Sequence, residues 1–139
     1  MKEEYIDILL KLACKAYRKN EVPVSAILVC NNRIISKAYN KKNLLNNPMM
    51  HAEIICLNNA YKKLKRWNLN DCILYVTLEP CDMCKLVIEE SRLAQVYYIL
   101  ERGELNNKYN KTHYEQMFAC KNDEFLYLMK DFFKKIRKK

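Results

Sequence analysis

The chain has 139 residues, of which 50% are hydrophobic, so one globular domain over residues 1–139 is expected and disorder of the whole is excluded. Its 7 cysteines are an odd number, and the chain has no signal-peptide pattern and no apolar run near the roughly 18 residues of a membrane span. These features predict a cytoplasmic protein with reduced thiols and no membrane partner, and the net charge of +9 permits an anionic partner without proving one.

Hydrophobic spacing and turn residues predict helices and strands along the whole chain. In chain order they are a helix over 2–18, strands over 24–30 and 33–39, a helix over 51–65, a strand over 72–78, a short helix from Pro80 through Ser91, a strand over 95–100 and a helix over 123–137. Asn31 and Asn32 are typical of a hairpin turn, and the later strands are separated by helices, which implies parallel crossovers. The predicted fold class is α/β, a three-layer α/β/α sandwich with a central mixed sheet of about five strands.

Two short segments carry candidate chemistry, His51-Ala52-Glu53 and Pro80-Cys81-Asp82-Met83-Cys84. Either one alone is weak, because a His-x-Glu triplet is common at helix starts and a Cys-x-x-Cys pair also occurs in redox and structural zinc sites. A structural site needs four protein ligands, but there is no second Cys-x-x-Cys, and His113 is predicted to be a surface loop residue. Three ligands with an open position are the catalytic arrangement, which predicts a site for one zinc ion made of His51, Cys81 and Cys84.

The predicted positions of these residues agree with hydrolytic chemistry. With Pro80 in the first helical position, Cys81 and Cys84 would share one face of the first turn, where the helix N-terminus favours thiolates. Glu53 is predicted to carry protons from a zinc-activated water to a ring nitrogen and to departing ammonia. Together the two segments form the general signature of nucleobase deaminases, whose reaction is the hydrolytic removal of an amino group.

The sequence resembles the bacterial tRNA adenosine deaminases of the cytidine deaminase-like superfamily. The stretches that carry the resemblance are Glu21 to Ala26, Asn40, Pro48, His51 to Ile54, Leu74 to Cys81, Met83-Cys84, Ser91-Arg92 and Asp131-Phe132-Phe133 with the basic residues that follow. The resemblance implies hydrolytic deamination of adenosine to inosine at the wobble position of the anticodon. It also implies one zinc ion per chain and a homodimer whose two subunits both contact the anticodon arm of the tRNA.

The resemblance also suggests substrate and RNA contacts. Asn40, Val22, Pro23 and Ala52 are expected to bind the target nucleoside. A second set, predicted to contact RNA, lies at the C-terminal end of the chain and consists of Phe133, Lys134, Arg137 and Lys138. On spacing alone, Phe132 and Phe133 are also typical of core residues, and lysine runs are typical of solvated surfaces.

The sequence departs from the family at Ser25, Met50 and Lys85, and most of all in a shortened segment from Glu101 to His113. We expect this segment to relax the reading of bases beside the target, with phosphate contacts from Arg102, Lys108 and Lys111. Two other functions are compatible with the sequence. One is deamination of a free base or nucleoside such as guanine or cytosine, and the other is a non-catalytic RNA-binding subunit, against which Glu53 argues.

Overall fold

The computed structural model describes residues 3–102, 112–117 and 121–137, and Arg137 is described by its backbone only. Within these residues the elements are α1 (Glu3–Arg18), β1 (Ser25–Cys30), β2 (Arg33–Tyr39), α2 (Ala52–Leu64), β3 (Cys72–Leu78), α3 (Asp82–Glu90), β4 (Gln95–Leu100), β5 (His113–Gln116) and α4 (Asn122–Arg137). Eight of these elements follow the sequence prediction to within a few residues, and β5 was not predicted. None of the helices in the described ranges has the length and apolar character needed to span a bilayer.

In the described part of the chain the strands form one five-stranded mixed sheet in the order β2-β1-β3-β4-β5. β1 is antiparallel to both of its neighbours, β2 and β3, whereas β4 is parallel to β3 and to β5. Because β2 and β3 both oppose β1, they run in the same direction, and α2 joins them by crossing over β1. The predicted parallel crossovers are therefore present. The first of them joins β2 to β3, and β1 lies between these two strands in the sheet.

Each face of the sheet is covered by helices, as a three-layer sandwich requires. Adjacent strand residues point to opposite faces, so Leu28 packs in the layer that contains Leu57 and Ile88. On the other face, Ile27 packs in the layer that contains Leu9 and Phe125. α2 and α3 thus cover one face while α1 and α4 cover the other, which confirms the predicted fold class.

The edge strand β5 is the main difference from the prediction. His113, expected in a surface loop, is exposed at the surface but is the first residue of this strand, opposite Gln95 of β4. Its four residues are exposed or only half-buried and have no apolar alternation, so the usual strand signal is missing. The strand forms because its backbone pairs with β4, and a contact between residues distant in sequence cannot be seen in a local pattern.

Candidate active site

The candidate ligands lie at the N-termini of two helices. His51 is the N-cap residue of α2 and Cys81 is the N-cap residue of α3, and both have extended backbone conformations. Neither side chain caps its own helix by a hydrogen bond, so both are free to point toward a common centre. Pro80 was predicted in the first helical position, but α3 begins at Asp82, which places Pro80 just before the cap. Cys84 still lies in the first turn, as predicted.

The three side chains converge closely. The Nδ1 atom of His51 is 3.6 Å from Sγ of Cys81 and 3.5 Å from Sγ of Cys84. All three ligand atoms lie within 4.8 Å of one another, with Cys84 buried and the other two residues half-buried. One imidazole and two sulfurs are the donor chemistry that zinc prefers in catalytic sites with a free fourth position. The residues present therefore fit a zinc ion.

The protonation of the sulfurs also suits a cation. The pKa of Cys81 is lowered to about 3, mainly by a hydrogen bond from the Cys84 thiol and to a smaller extent by one with His51. The same sulfur–sulfur hydrogen bond and burial raise the pKa of Cys84. The pKa of His51 is raised by its hydrogen bond to Cys81. Binding a metal would displace the remaining thiol proton and make both sulfurs thiolates.

Glu53, in the first turn of α2, is the buried carboxylate of the site. Its side chain is only 2% exposed, and desolvation raises its pKa. Among the described residues no group forms a hydrogen bond with its Oε1 atom. A buried polar atom without a partner costs about 1–3 kcal/mol, so native structures rarely keep one without a functional reason. This oxygen is available to a ligand of the protein.

His51 and Glu53 line a cavity of about 310 Å³. Its lining comprises Val22, Val24, Asn40, Lys42, His51, Ala52, Glu53, Leu78, Glu101, Arg102, Met129 and Phe133. Val22, Asn40 and Ala52, three of the four residues expected to bind the nucleoside, are thus brought together here. Pro23, the fourth, is buried and does not line the cavity. Asn40 is held in place because its Oδ1 accepts the backbone N–H of Lys42 at 2.9 Å.

Sequence reasoning missed the residues that anchor the cavity walls. Glu21 is buried and accepts the backbone N–H groups of Asn43 and Leu44 at 2.9 and 2.6 Å, which fixes the loop after Asn40. Glu79 accepts the backbone N–H of Arg102 at 3.2 Å, and the Nε of Arg102 donates to the Glu79 carbonyl at 3.0 Å. Both glutamates lie in the stretches that carry the family resemblance, which was the available signal.

The C-terminal helix contributes more to the cavity than its sequence predicted. Phe132 is buried, as expected for core, whereas Phe133 is 42% exposed and lines the cavity together with Met129. Lys134 is exposed on the same helix, and Arg137 is its last residue. Lys138, the side chain of Arg137, and residues 103–111 of the shortened segment, including Lys108 and Lys111, lie outside the described residues.

The sheet, the three gathered ligands and the buried glutamate define a zinc-dependent deaminase domain. The family model described as the cytidine and deoxycytidylate deaminase zinc-binding region matches residues 1–100. A Rickettsia bellii protein named tRNA-specific adenosine deaminase is 41% identical, over 92% of this chain and 97% of its own length. The chain belongs to the tRNA-specific adenosine deaminase family.

Solved structures of deaminases are similar to this chain in fold. A structure from a study of A-to-I editing by tRNA:A34 deaminases at the wobble position of transfer RNA has a TM-score of 0.80. It is 27% identical, and the match covers 91% of this chain and 99% of that one. A guanine deaminase from Bacillus subtilis has a TM-score of 0.66 at 25% identity, covering 94% of this chain and 95% of that one.

Proposed function

We propose that this protein hydrolyses adenosine to inosine in tRNA, at the wobble position of the anticodon. The observation that carries the proposal is the unpartnered Oε1 of Glu53, which lines one cavity together with His51, the imidazole of the His51, Cys81 and Cys84 donor set. A structural metal site has no use for a buried carboxylate held without a partner, so this feature also argues against a non-catalytic RNA-binding subunit. The tRNA-specific relative supports the choice of substrate.

In the proposed reaction, three residues bind the metal and Glu53 transfers protons. When bound by His51, Cys81 and Cys84, zinc supplies a water activated for attack at neutral pH. Glu53 would accept a proton from the attacking water and transfer it to the ring nitrogen of adenine. It would then help to protonate the departing amino group, so that water and adenosine give inosine and ammonia. Burial raises the pKa of Glu53, which suits a group that must both accept and donate protons.

The rim of the cavity favours a nucleotide within a polymer over a free base. Lys42 and Arg102 both line the cavity that contains Glu53, and a free guanine or cytosine has no phosphate for either cation to bind. A target base turned out of its stack would enter between Val22, Asn40 and Ala52, while its flanking phosphates stay outside. The partly exposed ring of Phe133 offers a surface on which an unstacked base could lie.

The test of this function is incubation of the zinc-loaded protein with total tRNA, followed by sequencing for A-to-G changes at the wobble position. Free adenosine, guanine and cytosine are incubated in parallel and followed by ammonia release. We expect conversion in tRNA only. Turnover of a free base without any change in tRNA would contradict the proposal.

We predict that Arg102→Gln and Lys42→Gln each raise KM for an anticodon stem-loop severalfold and change kcat little, because these cations would contact phosphates and not the reacting atoms. Affinity falls as salt concentration rises. The slope of this fall, on logarithmic axes, should become shallower by about 0.7 for each phosphate contact removed. Binding is measured by fluorescence anisotropy at several salt concentrations.

The matched control is Lys63→Gln, which removes an exposed lysine from the other end of α2. It should leave KM and the salt slope as in the wild type. Arg102→Lys keeps the positive charge and should restore most of the slope, even though it loses the Nε bond to Glu79. Equal slopes in the wild type and both glutamine variants would show that neither cation contacts the phosphates.

The residues after Phe133 are proposed to extend this phosphate contact. Lys134 is exposed, and Lys135 is exposed but lies 3.9 Å from the Asp131 carboxylate, so Lys134 is the freer charge. We assign Phe133, Lys134, Arg137 and Lys138 to the RNA surface. The salt dependence of RNA affinity is measured for Lys134→Gln as for the Arg102 variants, and we expect a smaller slope than in the wild type. An unchanged slope would show that Lys134 is solvated and does not contact the RNA.

We also propose that the protein acts in the cytoplasm as a homodimer. An apolar groove of about 480 Å³ between α2 and α3 is bordered by Trp67 and Leu86, whose side chains are 60% and 48% exposed. Contiguous exposed apolar surface commonly marks a contact with another protein. Light scattering of the purified protein gives the molar mass, and a monomer at micromolar concentration would contradict the dimer.

A further inference from the structure

A second group of metal-binding side chains lies at the end of the sheet away from the cavity. Cys30 is the last residue of β1 and faces Cys72, the first residue of β3, across the antiparallel pair. The backbone N–H of Cys72 donates to the carbonyl of Leu69 and not to Cys30. Cys30 and Cys72 are therefore a non-hydrogen-bonded pair of the antiparallel ladder. In such pairs the opposed side chains are closest, with Cα atoms typically about 4.5 Å apart. Both thiols are buried, at 6% and 1% exposure.

Asp71 and Arg66 complete this group. The carboxylate of Asp71 accepts a hydrogen bond from each thiol, both at 3.5 Å. The Nη2 atom of Arg66 lies 2.9 Å from one oxygen of Asp71 and 3.0 Å from the other, and 3.9 Å from Sγ of Cys30. One ligand atom from each of Cys30, Asp71 and Cys72 lies within 4.8 Å of the other two. We call these three residues the distal cluster.

We propose that the distal cluster binds a thiophilic divalent cation such as Zn²⁺, as a second site separate from the active site. Two thiolates and one carboxylate are donors that zinc accepts, whereas Mg²⁺ and Ca²⁺ prefer oxygen ligands only. Asp71 is exposed and gives the ion a route from solvent to the buried sulfurs. Water would complete the coordination on that side.

Charge balance supports this assignment. In the metal-free cluster the two thiols are neutral, and the negative Asp71 is paired with the positive Arg66. A dication that displaces both thiol protons adds two positive charges and creates two thiolates, so the net charge of the group does not change. Buried charge without a counterion is costly, and here none is left uncompensated.

The position of the cluster indicates a stabilising role and not a catalytic one. Cys72 and Leu78 are at opposite ends of β3, and Leu78 lines the active-site cavity. A bound ion would link the end of β1, the start of β3 and the loop that follows α2. It would therefore stabilise the folded chain, because the unfolded chain does not hold these three ligands together.

The test uses the zinc-loaded, full-length protein equilibrated by dialysis against excess Zn²⁺ in the presence of a reductant, with bound metal counted by mass spectrometry. We expect two zinc ions per wild-type chain and one per chain of the Cys30→Ser/Cys72→Ser variant. Cys14→Ser, which removes a half-buried thiol outside both clusters, should keep two. One zinc ion in the wild type would overturn the proposal, and so would two in the double variant, which would place the extra ion on the surface.

A second variant keeps the proposal testable if the double variant does not fold. Asp71→Asn keeps both thiols and removes the third ligand, so it should weaken binding of the second ion at least about tenfold. Added Zn²⁺ should also raise the thermal unfolding midpoint of the wild type more than that of Asp71→Asn. Equal zinc affinity and equal midpoint shifts in the two proteins would overturn the assignment.

Discussion

Replacing Glu53 by glutamine is expected to abolish most turnover while the zinc content and the fold are retained. Removing a general acid–base group commonly costs about 10² to 10⁴ in rate, and the upper end is expected here because Glu53 would act at two proton transfers in each cycle. Glutamine has nearly the same shape, and Oε1 of Glu53 has no hydrogen bond within the described residues to lose. Single-turnover deamination of an anticodon stem-loop gives the rate directly.

The matched control is Glu4→Gln, which removes an exposed carboxylate from the first turn of α1. Its rate should equal that of the wild type, and the zinc content of both variants should match the wild-type value. A Glu53→Gln enzyme with more than about a tenth of the wild-type rate would assign the proton transfers to another group.

The second large effect is expected for Cys84→Ser, which should lose the active-site zinc. Cys84 is fully buried, and a serine hydroxyl in its place would not give up its proton to the metal as a thiol does. Loss of residues that only support a ligand already costs 10- to 100-fold in metal affinity, so loss of the ligand itself should cost more. Zinc content is measured after dialysis against a chelator of intermediate affinity.

Cys56→Ser is the control for burial in this experiment. Burial raises the pKa of Cys56 to about 12, and Ser36 is its hydrogen-bond partner, so it is a buried thiol outside the group formed by His51, Cys81 and Cys84. This variant should keep its active-site zinc even if its unfolding midpoint falls. Cys84→Ser with wild-type zinc affinity would exclude Cys84 from the ligand set.

The convergence of the three candidate metal ligands was predictable because their signal is local. His51-Ala52-Glu53 and the Cys81–Cys84 pair each span only a few residues, and zinc chemistry restricts the residue types and spacing. The turn before each helix could be placed from the sequence to within one or two residues. The error at Pro80 is of this size and does not change the side on which the two cysteines lie.

The walls of the cavity could not be derived from these patterns, because they depend on contacts distant in sequence. Met129 and Phe133 lie on an apolar stripe that is equally typical of core, and periodicity does not say which part of a stripe meets a cavity. The burial of Lys85, which does not line the cavity, was also not predictable, since a lysine on a short helix is usually exposed. Here it is buried, 3.7 Å from Glu79 and above the ring of Tyr114 of β5, a strand that the sequence did not indicate.

The order of the site residues along the chain sets the order in which the parts of the cavity are synthesised. His51, Glu53, Cys81 and Cys84 all precede β4, whereas Met129 and Phe133 belong to α4 and line the cavity. During translation, the candidate ligands leave the ribosome before α4 is made. The α4 wall is therefore the last part of the cavity lining to be added.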